Sequence, residues 1–532
     1  MNSRYYLAVC TFVVLTGCSK WLGEPQPARP GLEDFFASGG AAAVQVINGA
    51  YVPLQWEYGS TYSSEWWIGD VASDDALKGG QNVSDMSAAF EIDNFRVSDN
   101  NAILLDFYQM NYQGVARCNL ALEQIPNIPP DSVMSEHVKE RLIGEAKFLR
   151  ALYYFRLVRV FQELPLVTVT IKSSADWHQP KESVANIYKQ IISDLEDANR
   201  RLWSVGEIRT NPAEIGRATK GAAQAMLLKA HLYCKEYGQA KAWGDSIINS
   251  GDYNLEPNYA DNFSIYNENG IESVFEIQYS EEASSDYGNF NPHFGGTRGT
   301  FTTILIRSRS TKIPKTALGA AEGWGFNKPT QSLYDEFEDG DPRREASILN
   351  IPDSLMSNPA EEIYLGCRYL SRKYALMDAN VNSLWDGHAT RAPINIKIIR
   401  YADVLLMYAE ACNEDGDLAS AKTTLNYLRS VRAGLGPPVL PDFPYGTYSE
   451  NQNDMRLALC HERRVELAME GHRWFDIVRW GIAKQVMDNY KQNETEEVKR
   501  EMGTFSEGKN EYFPLPQYEL DLSGFVQNDK WK

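Results

Sequence analysis

The feature that most constrains the fold of this chain is an apolar stripe with helical spacing between Glu136 and Phe161. Apolar side chains recur there every three or four residues, at Val138, Leu142, Ala146, Leu149, Tyr153, Leu157 and Val160. One face of an α-helix has this spacing. Pro165 follows where the helix would have to stop, because proline has no N–H to donate. With a second helical stretch at residues 183–202, the sequence predicts a mainly α-helical protein.

An internal repeat indicates how the helices are arranged. Four positions recur at an offset of 181 residues: Met226, Ala230, Ala240 and Ile247 match Met407, Ala411, Ala421 and Leu428. Each copy contains a short polar turn, at residues 235–238 and 414–417, so each is predicted to be a helix hairpin. The hairpins resemble tetratricopeptide units, although two ordinary helical hairpins remain an alternative because the full repeat signature is absent. Both interpretations predict stacked helix pairs.

A long insertion separates the two copies. Residues 251–395 are rich in glycine, proline and aromatic residues, and they lose helical periodicity. Only residues 273–280 (SVFEIQYS) alternate as a strand would. Loops this long in a compact domain are usually functional or disordered, and the aromatic content argues against disorder. We therefore expect a loop-rich ligand-binding insertion with a few short strands, between helical regions at residues 32–250 and 396–532.

The N-terminus has the features of an export signal. Arg4 precedes an apolar run that ends at Leu15-Thr16-Gly17-Cys18. The run is too short to remain as a membrane-spanning helix, so residues 1–17 are predicted to be a removed signal peptide. The small residues before Cys18 resemble a bacterial lipobox, which implies a lipidated Cys18 followed by a proline-rich tether at residues 18–31. The alternative is a plain secretory signal with a coincidental cysteine.

Composition excludes several classes of protein. The chain has 52 basic and 71 acidic residues, a net charge of -19, which argues against nucleic acid and against an anionic lipid surface as partners. Five cysteines after Cys18 are widely spaced without a CxxC pair, so the chain is not a disulfide scaffold. Uncharged or cationic ligands fit such a chain better.

The most densely charged segment is residues 458–480, ALCHERRVELAMEGHRWFDIVRW. Its carboxylates and guanidiniums could act as an acid/base pair, but three-residue spacings such as Glu470 with Arg473 and Asp476 with Arg479 favour structural ion pairs. We expect no catalytic residues, no bound metal and no cofactor. The segment DEFEDGD has Phe337 where a calcium loop needs an oxygen ligand, and the zinc-protease, phosphate-loop, dinucleotide and serine-elbow patterns are absent from the sequence.

The same charged segment resembles the C-terminal signature of the SusD/RagB family of outer-membrane nutrient-binding lipoproteins. Further resemblance to this family is carried, in the same order, by residues 144–168 (GEAKFLRALYYFRLVRVFQELPLVT), 325–343 (GFNKPTQSLYDEFEDGDPR), 400–410 (RYADVLLMYAE) and 513–520 (FPLPQYEL). The resemblance implies a tetratricopeptide-like scaffold whose loops bind a glycan or, alternatively, a peptide. It also implies a place at the outer face of the outer membrane as the lid of a SusC-like TonB-dependent transporter.

Loop aromatics are the candidate ligand-binding residues, because exposed rings beside polar side chains suit the apolar faces and polar rims of sugars. The candidates are the aromatic residues Trp66, Trp67, Tyr287, Phe290, Trp324 and Trp385, together with Asp74, an acidic side chain in the polar stretch that follows the first two. Trp324 lies between two glycines and is the strongest of them; we expect it to form a stacking surface with Trp66 or Trp67.

These observations favour a glycan-binding surface lipoprotein that catalyses no reaction. Two other functions stay open at this point. A secreted glycoside hydrolase would need a pair of carboxylates across a groove, and a helical-repeat scaffold would bind proteins on its concave face.

Overall fold

A computed structural model describes residues 31–173, 178–281, 299–309, 323–352, 364–376, 392–434 and 439–532. Within these ranges, α-helices dominate. They are α1 Leu32–Phe36, α2 Gly40–Tyr51, α3 Trp66–Gly69, α4 Ser87–Asp93, α5 Ala102–Gln124, α6 Glu136–Phe161, α7 Val184–Arg201, α8 Val205–Arg209, α9 Lys220–Tyr233, α10 Tyr237–Ile248, α11 Thr302–Ile306, α12 Gln331–Glu336, α13 Pro342–Ser347, α14 Tyr401–Glu414, α15 Leu418–Arg432, α16 Gln452–Glu466, α17 Arg473–Arg479, α18 Ala483–Asn493, α19 Glu496–Glu501 and α20 Gln517–Ser523.

The strands are short and form antiparallel pairs. They are β1 Ala76–Gly79, β2 Leu164–Pro165, β3 Lys181–Glu182, β4 Ser273–Ile277, β5 Phe326–Pro329, β6 Ile348–Asn350, β7 Tyr369–Ser371 and β8 Ile396–Arg400. Strand β1 pairs with β5, β2 with β3, β4 with β8, and β6 with β7. The mainly α-helical prediction with a few short strands is therefore confirmed.

The central helix α6 spans the range that the apolar stripe predicted. Ser135 caps it by accepting a hydrogen bond from the Val138 N–H, which satisfies one of the free donors at a helix start. The helix is buried on most of its circumference, because α5 packs on one side and α7 on another. Its neighbour α7 also lies within its predicted range, capped by Ser183.

The helices continue as a stack of neighbouring pairs. Helix α7 packs on α9, α9 on α10, α10 on α14, and α14 on α15. The two predicted hairpins are thus α9–α10 and α14–α15, and they lie side by side although a long insertion separates them in sequence. At their contact Tyr408 donates a hydrogen bond to Asp245 (2.7 Å) and Lys241 forms an ion pair with Asp417 (2.6 Å).

The two hairpin turns have the same backbone geometry at the same repeat position. Lys235 has φ of 60°, and Gly416, which is 181 residues later, has φ of 87°. Both lie in the left-handed region that favours glycine. The first turn is shorter than predicted, because α10 already begins at Tyr237 and includes Gly238.

Strand β4 confirms the strand predicted from residues 273–280, although it ends at Ile277. Its partner β8 was not predicted. The register joins Ser273 to Arg400 and Ile277 to Ile396, so a strand in the first part of the predicted insertion is bonded to the residues directly after it. Loops between these strands therefore leave and re-enter the helical scaffold at one place.

None of the helices in the described residues is long and apolar enough to span a membrane.

Candidate functional site

The candidate site is a pocket of about 590 Å³ beside the β1–β5 pair. The pairing brings Gly79 opposite Phe326, so the loop after β1 meets the segment before β5. Residues from four separate parts of the sequence line the pocket: Tyr62, Asp85, Met86, Arg309, Gly323, Trp324 and Phe326. The site is therefore made of loops that the scaffold brings together.

The backbone of Trp324 is held firmly on α11 and the residues after it. Its N–H donates to the Ile304 carbonyl (2.8 Å), and the next N–H, of Gly325, donates to the Arg307 carbonyl (2.8 Å). Gly325 has φ of 73°, a conformation that glycine adopts without strain. These bonds fix where the indole ring leaves the chain.

The Trp324 ring is half-buried against a group of aromatic side chains. It meets Tyr62 edge to face, with ring centroids 5.1 Å apart and planes at 69°. Tyr62 in turn packs on Tyr58 (4.9 Å) and Phe301 (5.2 Å). Edge-to-face contacts orient aromatic rings, so Tyr62 holds the indole in one position beside the pocket.

A polar rim borders the aromatic rings. The Arg309 guanidinium donates to the Asp85 carboxylate (3.1 Å) and to the Gln81 side-chain oxygen (3.1 Å). The Gln81 backbone N–H also donates to Asp85 (2.8 Å). Hydrogen-bond donors and acceptors thus stand next to a flat apolar surface, and sugars need this combination because their ring faces are apolar and their hydroxyls are polar.

Lys78 shapes the loop that carries Asp85. Its ammonium group donates to the backbone carbonyls of Gly79 (2.8 Å), Asn82 (3.0 Å) and Asp85 (2.5 Å). Burial lowers the pKa of Lys78 to about 8, even though Asp85 and Asp93 favour the charged form. One buried cation therefore closes the loop at the edge of the pocket.

The predicted companions of Trp324 lie elsewhere. Trp67 is fully buried, with its ring against Phe326 (5.4 Å), so it has no exposed face for a ligand. Trp66 packs against Trp67 with tilted rings (centroids 4.0 Å apart) and donates to the Thr302 hydroxyl (3.1 Å). Trp66 lines an inner cavity of about 90 Å³. The site proposed below therefore contains neither tryptophan, and Tyr62 has the role that sequence reasoning gave to them.

Asp74 was also a candidate ligand contact, but the structure places it in a buried ion network. Its carboxylate is 2.8 Å from Arg464 and 2.8 Å from Arg473. Burial alone would raise the pKa of Asp74, but these two guanidiniums hold it at about 2. The Asp74 carboxylate and the two guanidiniums thus pair with each other inside the protein. Asp74 is therefore not part of the proposed site.

The charged segment 458–480 supplies most of this network. Glu466 accepts hydrogen bonds from Arg343, Arg400 and Arg432, all nearly fully buried. Burial opposes ionisation of Glu466, but the three guanidiniums lower its pKa well below the usual range. Glu470 bonds Arg400 and Lys373 rather than the predicted Arg473, whereas the predicted pair Asp476–Arg479 is present (2.9 Å). The interpretation of the segment as structural ion pairs is supported.

Four predicted residues lie outside the described residues: Cys18, Tyr287, Phe290 and Trp385. Five side chains that line the pocket were missed, namely Tyr62, Asp85, Met86, Arg309 and Phe326. Tyr62 is close in sequence to Trp66 in an aromatic-rich loop, which is the only sequence signal for it. In the described parts of the chain, no cluster of three or more histidine, cysteine, aspartate or glutamate side chains is arranged to hold a metal ion.

Comparison with known proteins agrees with this architecture. A family model described as "SusD family" matches residues 361–531, and one described as "Starch-binding associating with outer membrane" matches residues 43–232. SusD-like protein P2 of Formosa agariphila is 27% identical over 501 residues, which cover 90% of this chain and 91% of that protein. Arg309 and Trp324 lie between the two matched ranges.

Solved structures show the same fold. A structure titled "Laminarin binding SusD-like protein" has a TM-score of 0.77 and 28% identity, covering 92% of this chain and 99% of the other. Surface glycan-binding protein A from Bacteroides fluxus has a TM-score of 0.76 and 25% identity, with the same coverage.

The stacked helices and the loop-borne aromatic pocket define a helical binding protein. The two matching models and the full-length structural likeness identify it further: the chain belongs to the SusD/RagB family, which is a non-catalytic binding family.

Proposed function

We propose that this protein binds oligosaccharides in the Trp324 pocket at the bacterial outer membrane and delivers them, uncleaved, to a partner TonB-dependent transporter. The observation that carries the proposal is the pairing of a fixed indole ring with a donor and acceptor rim. Trp324 and Tyr62 provide the apolar surface, and Arg309, Asp85 and Gln81 provide the hydrogen-bonding groups.

Binding without cleavage fits the charges at the pocket. Glycoside hydrolases generally use two carboxylates about 5 to 9.5 Å apart. Among the described residues that line the pocket, Asp85 is the only carboxylate. Membership of a non-catalytic family supports the same conclusion.

The relatives support the ligand class. One similar structure is named for binding laminarin, and others are named surface glycan-binding proteins. A glucan oligosaccharide is therefore the first probe, and a peptide is the alternative ligand that the experiment should include.

Three parts of the proposal concern the cell. Cys18 is the lipid anchor, the protein faces the exterior, and a SusC-like transporter is the partner. The description of the matching model as associating with the outer membrane supports this location.

Cys18→Ala is expected to shift the protein from the membrane to the soluble fraction; retention in the membrane at high salt would refute the anchor.

The experiment that tests binding is an array of neutral oligosaccharides of different linkages and short peptides, probed with the purified protein. We expect saturable binding of at least one oligosaccharide, and chromatography after prolonged incubation should return the ligand intact. Binding of peptides alone would reject the glycan proposal, and release of shorter sugars would reject the non-catalytic one.

A further inference from the structure

The charges at the Trp324 pocket bear on which glycans it accepts. Asp85 and Arg309 are the charged side chains among the described residues that line it. Asp85 follows β1 and Arg309 precedes β5 in the sequence, and they meet as an ion pair 3.1 Å long. The pocket thus presents a compensated pair of charges instead of a free cation.

Both ends of the Arg309 guanidinium are engaged. One nitrogen donates to Asp85 and the other to the Gln81 side-chain oxygen. A sugar carboxylate or sulfate that approached Arg309 would also approach the Asp85 carboxylate. Two like charges at about 4 Å repel by an amount equal to roughly 5-fold in affinity in water, and by more in a partly shielded site.

Neutral hydroxyl groups do not meet this repulsion. A hydroxyl both donates and accepts, so neighbouring sugar hydroxyls can donate to Asp85 and accept from the remaining N–H groups of Arg309. The side chains of Arg309 and Asp85 are 45% and 30% exposed, respectively. An ion pair this exposed is weak, so its partners can adjust to a sugar without a large loss.

We propose that the Asp85–Arg309 pair makes the pocket selective for neutral over anionic oligosaccharides, with Asp85 as the residue that excludes carboxylated and sulfated sugars. This inference rests on the proposed function, because it names the substrate class of the same pocket.

The test compares two matched probes. The first is a neutral oligosaccharide that binds in the array, beginning with laminarihexaose. The second is the same oligosaccharide with its primary hydroxyls oxidised to carboxylates. Calorimetric titration of the wild-type protein at low salt is expected to show weaker binding of the oxidised probe, by up to about 5-fold, because Arg309 offsets part of the repulsion from Asp85. Raising the salt concentration should narrow the difference, because salt screens exposed charges.

Two variants change the pair in opposite directions. Asp85→Asn removes the negative charge and keeps an oxygen that accepts from the Gln81 N–H. The ratio of the oxidised-probe affinity to the neutral-probe affinity should therefore rise by about 5-fold, and this ratio is the readout because Asp85 also accepts from the hydroxyls of the neutral probe. Arg309→Gln leaves Asp85 uncompensated, so the oxidised probe should bind more weakly still. The control is Asp529→Asn, which makes the same change in net charge at an exposed carboxylate that does not line the pocket.

The outcomes separate this inference from the proposed function. If the neutral probe binds and the wild-type protein binds the oxidised probe equally well or better, the selectivity is refuted and glycan binding stands. Equal gains for Asp85→Asn and Asp529→Asn would refute the role of the pair, because net charge alone would then explain the effect. If no oligosaccharide in the array binds, the proposed function fails, and the inference fails with it.

Discussion

Asp70 is a buried carboxylate that the described residues stabilise by hydrogen bonds without an ion pair. It accepts from the Gly471 N–H (2.8 Å) and from the Asn327 side-chain amide (3.1 Å). Burial raises its pKa to about 7, and the nearby carboxylates of Asp75 and Glu470 act in the same direction. Asp70 is therefore protonated in the folded protein at a pH where an unfolded chain would ionise it.

This shift predicts a pH-dependent effect of Asp70→Asn. The folded-state pKa lies above the ordinary value of 3.8, so the contribution of Asp70 to stability is complete below about pH 4 and is lost as the pH rises through about 7. An asparagine cannot ionise, and it can donate to the Asn327 oxygen, which accepts no hydrogen bond from the described residues. We expect the melting temperature of Asp70→Asn, relative to wild type, to rise between pH 5 and pH 8. A constant difference across this range would contradict the assignment.

The helix hairpins allow a prediction at the scale of the element. Gly416→Ala places a side chain at φ of 87° and should lower the free energy of unfolding by about 1 kcal/mol. Lys235→Gly, at the matching turn of the first hairpin, removes a side chain from the same left-handed conformation. It should therefore raise the free energy of unfolding by roughly 0.5 kcal/mol. Gly238→Ala is the control, because this glycine is inside α10 and alanine favours a helix by up to about 1 kcal/mol. Urea denaturation measures all three, and the same sign for the two alanine variants would contradict the account.

The charged segment 458–480 gives a second prediction at this scale. Arg464 pairs with Asp74 (2.8 Å), Asp75 (2.8 Å) and Glu336 (2.9 Å), and the first two carboxylates are buried. Arg464→Ala removes the nearest cation from Asp75 and leaves Asp74 with Arg473 alone. Breaking this buried network should cost about 3 to 5 kcal/mol of unfolding free energy with little change in ligand affinity.

The matched control for this network is Lys499→Ala, which removes an exposed pair with Glu496 and should cost at most about 1 kcal/mol. An Arg464→Ala protein that melts normally but loses oligosaccharide binding would move the segment into the binding site.

For the whole molecule, local sequence patterns predicted the helical scaffold. The composition of the candidate site depends instead on contacts between residues that are far apart in the sequence. Helix α6 and strand β4 follow from periodicity, which a sequence displays directly. The partner of β4 could not be predicted, because β8 lies beyond the insertion and pairing depends on how the chain returns. Trp67 and Asp74 are of residue types that suit contacts with a sugar; only the packing of α17 and β5 around them shows that they are internal.

Only one part of the pocket, Trp324, was foreseeable from the sequence. Trp324 stood out because glycines flank it. The glycines proved to allow backbone bonds to Ile304 and Arg307, and they do not leave the ring free. Tyr62 and Arg309 approach Trp324 through contacts between residues that are far apart in the sequence: Tyr62 meets the indole ring edge to face, and the backbone bonds of residues 323–325 to the α11 segment bring Arg309 near.

The central claim is that an oligosaccharide stacks on Trp324. The most direct measurement is calorimetric titration of wild-type protein, Trp324→Ala and Tyr266→Ala with the same neutral oligosaccharide, after confirming equal melting temperatures. Tyr266 is a matched control, because its side chain is 64% exposed and does not line the pocket. Trp324→Ala removes one stacking ring and is expected to weaken oligosaccharide binding by roughly 5- to 150-fold, which is equivalent to about 1 to 3 kcal/mol. Tyr266→Ala is expected to leave the affinity unchanged. Unchanged affinity in the Trp324→Ala protein would contradict the account.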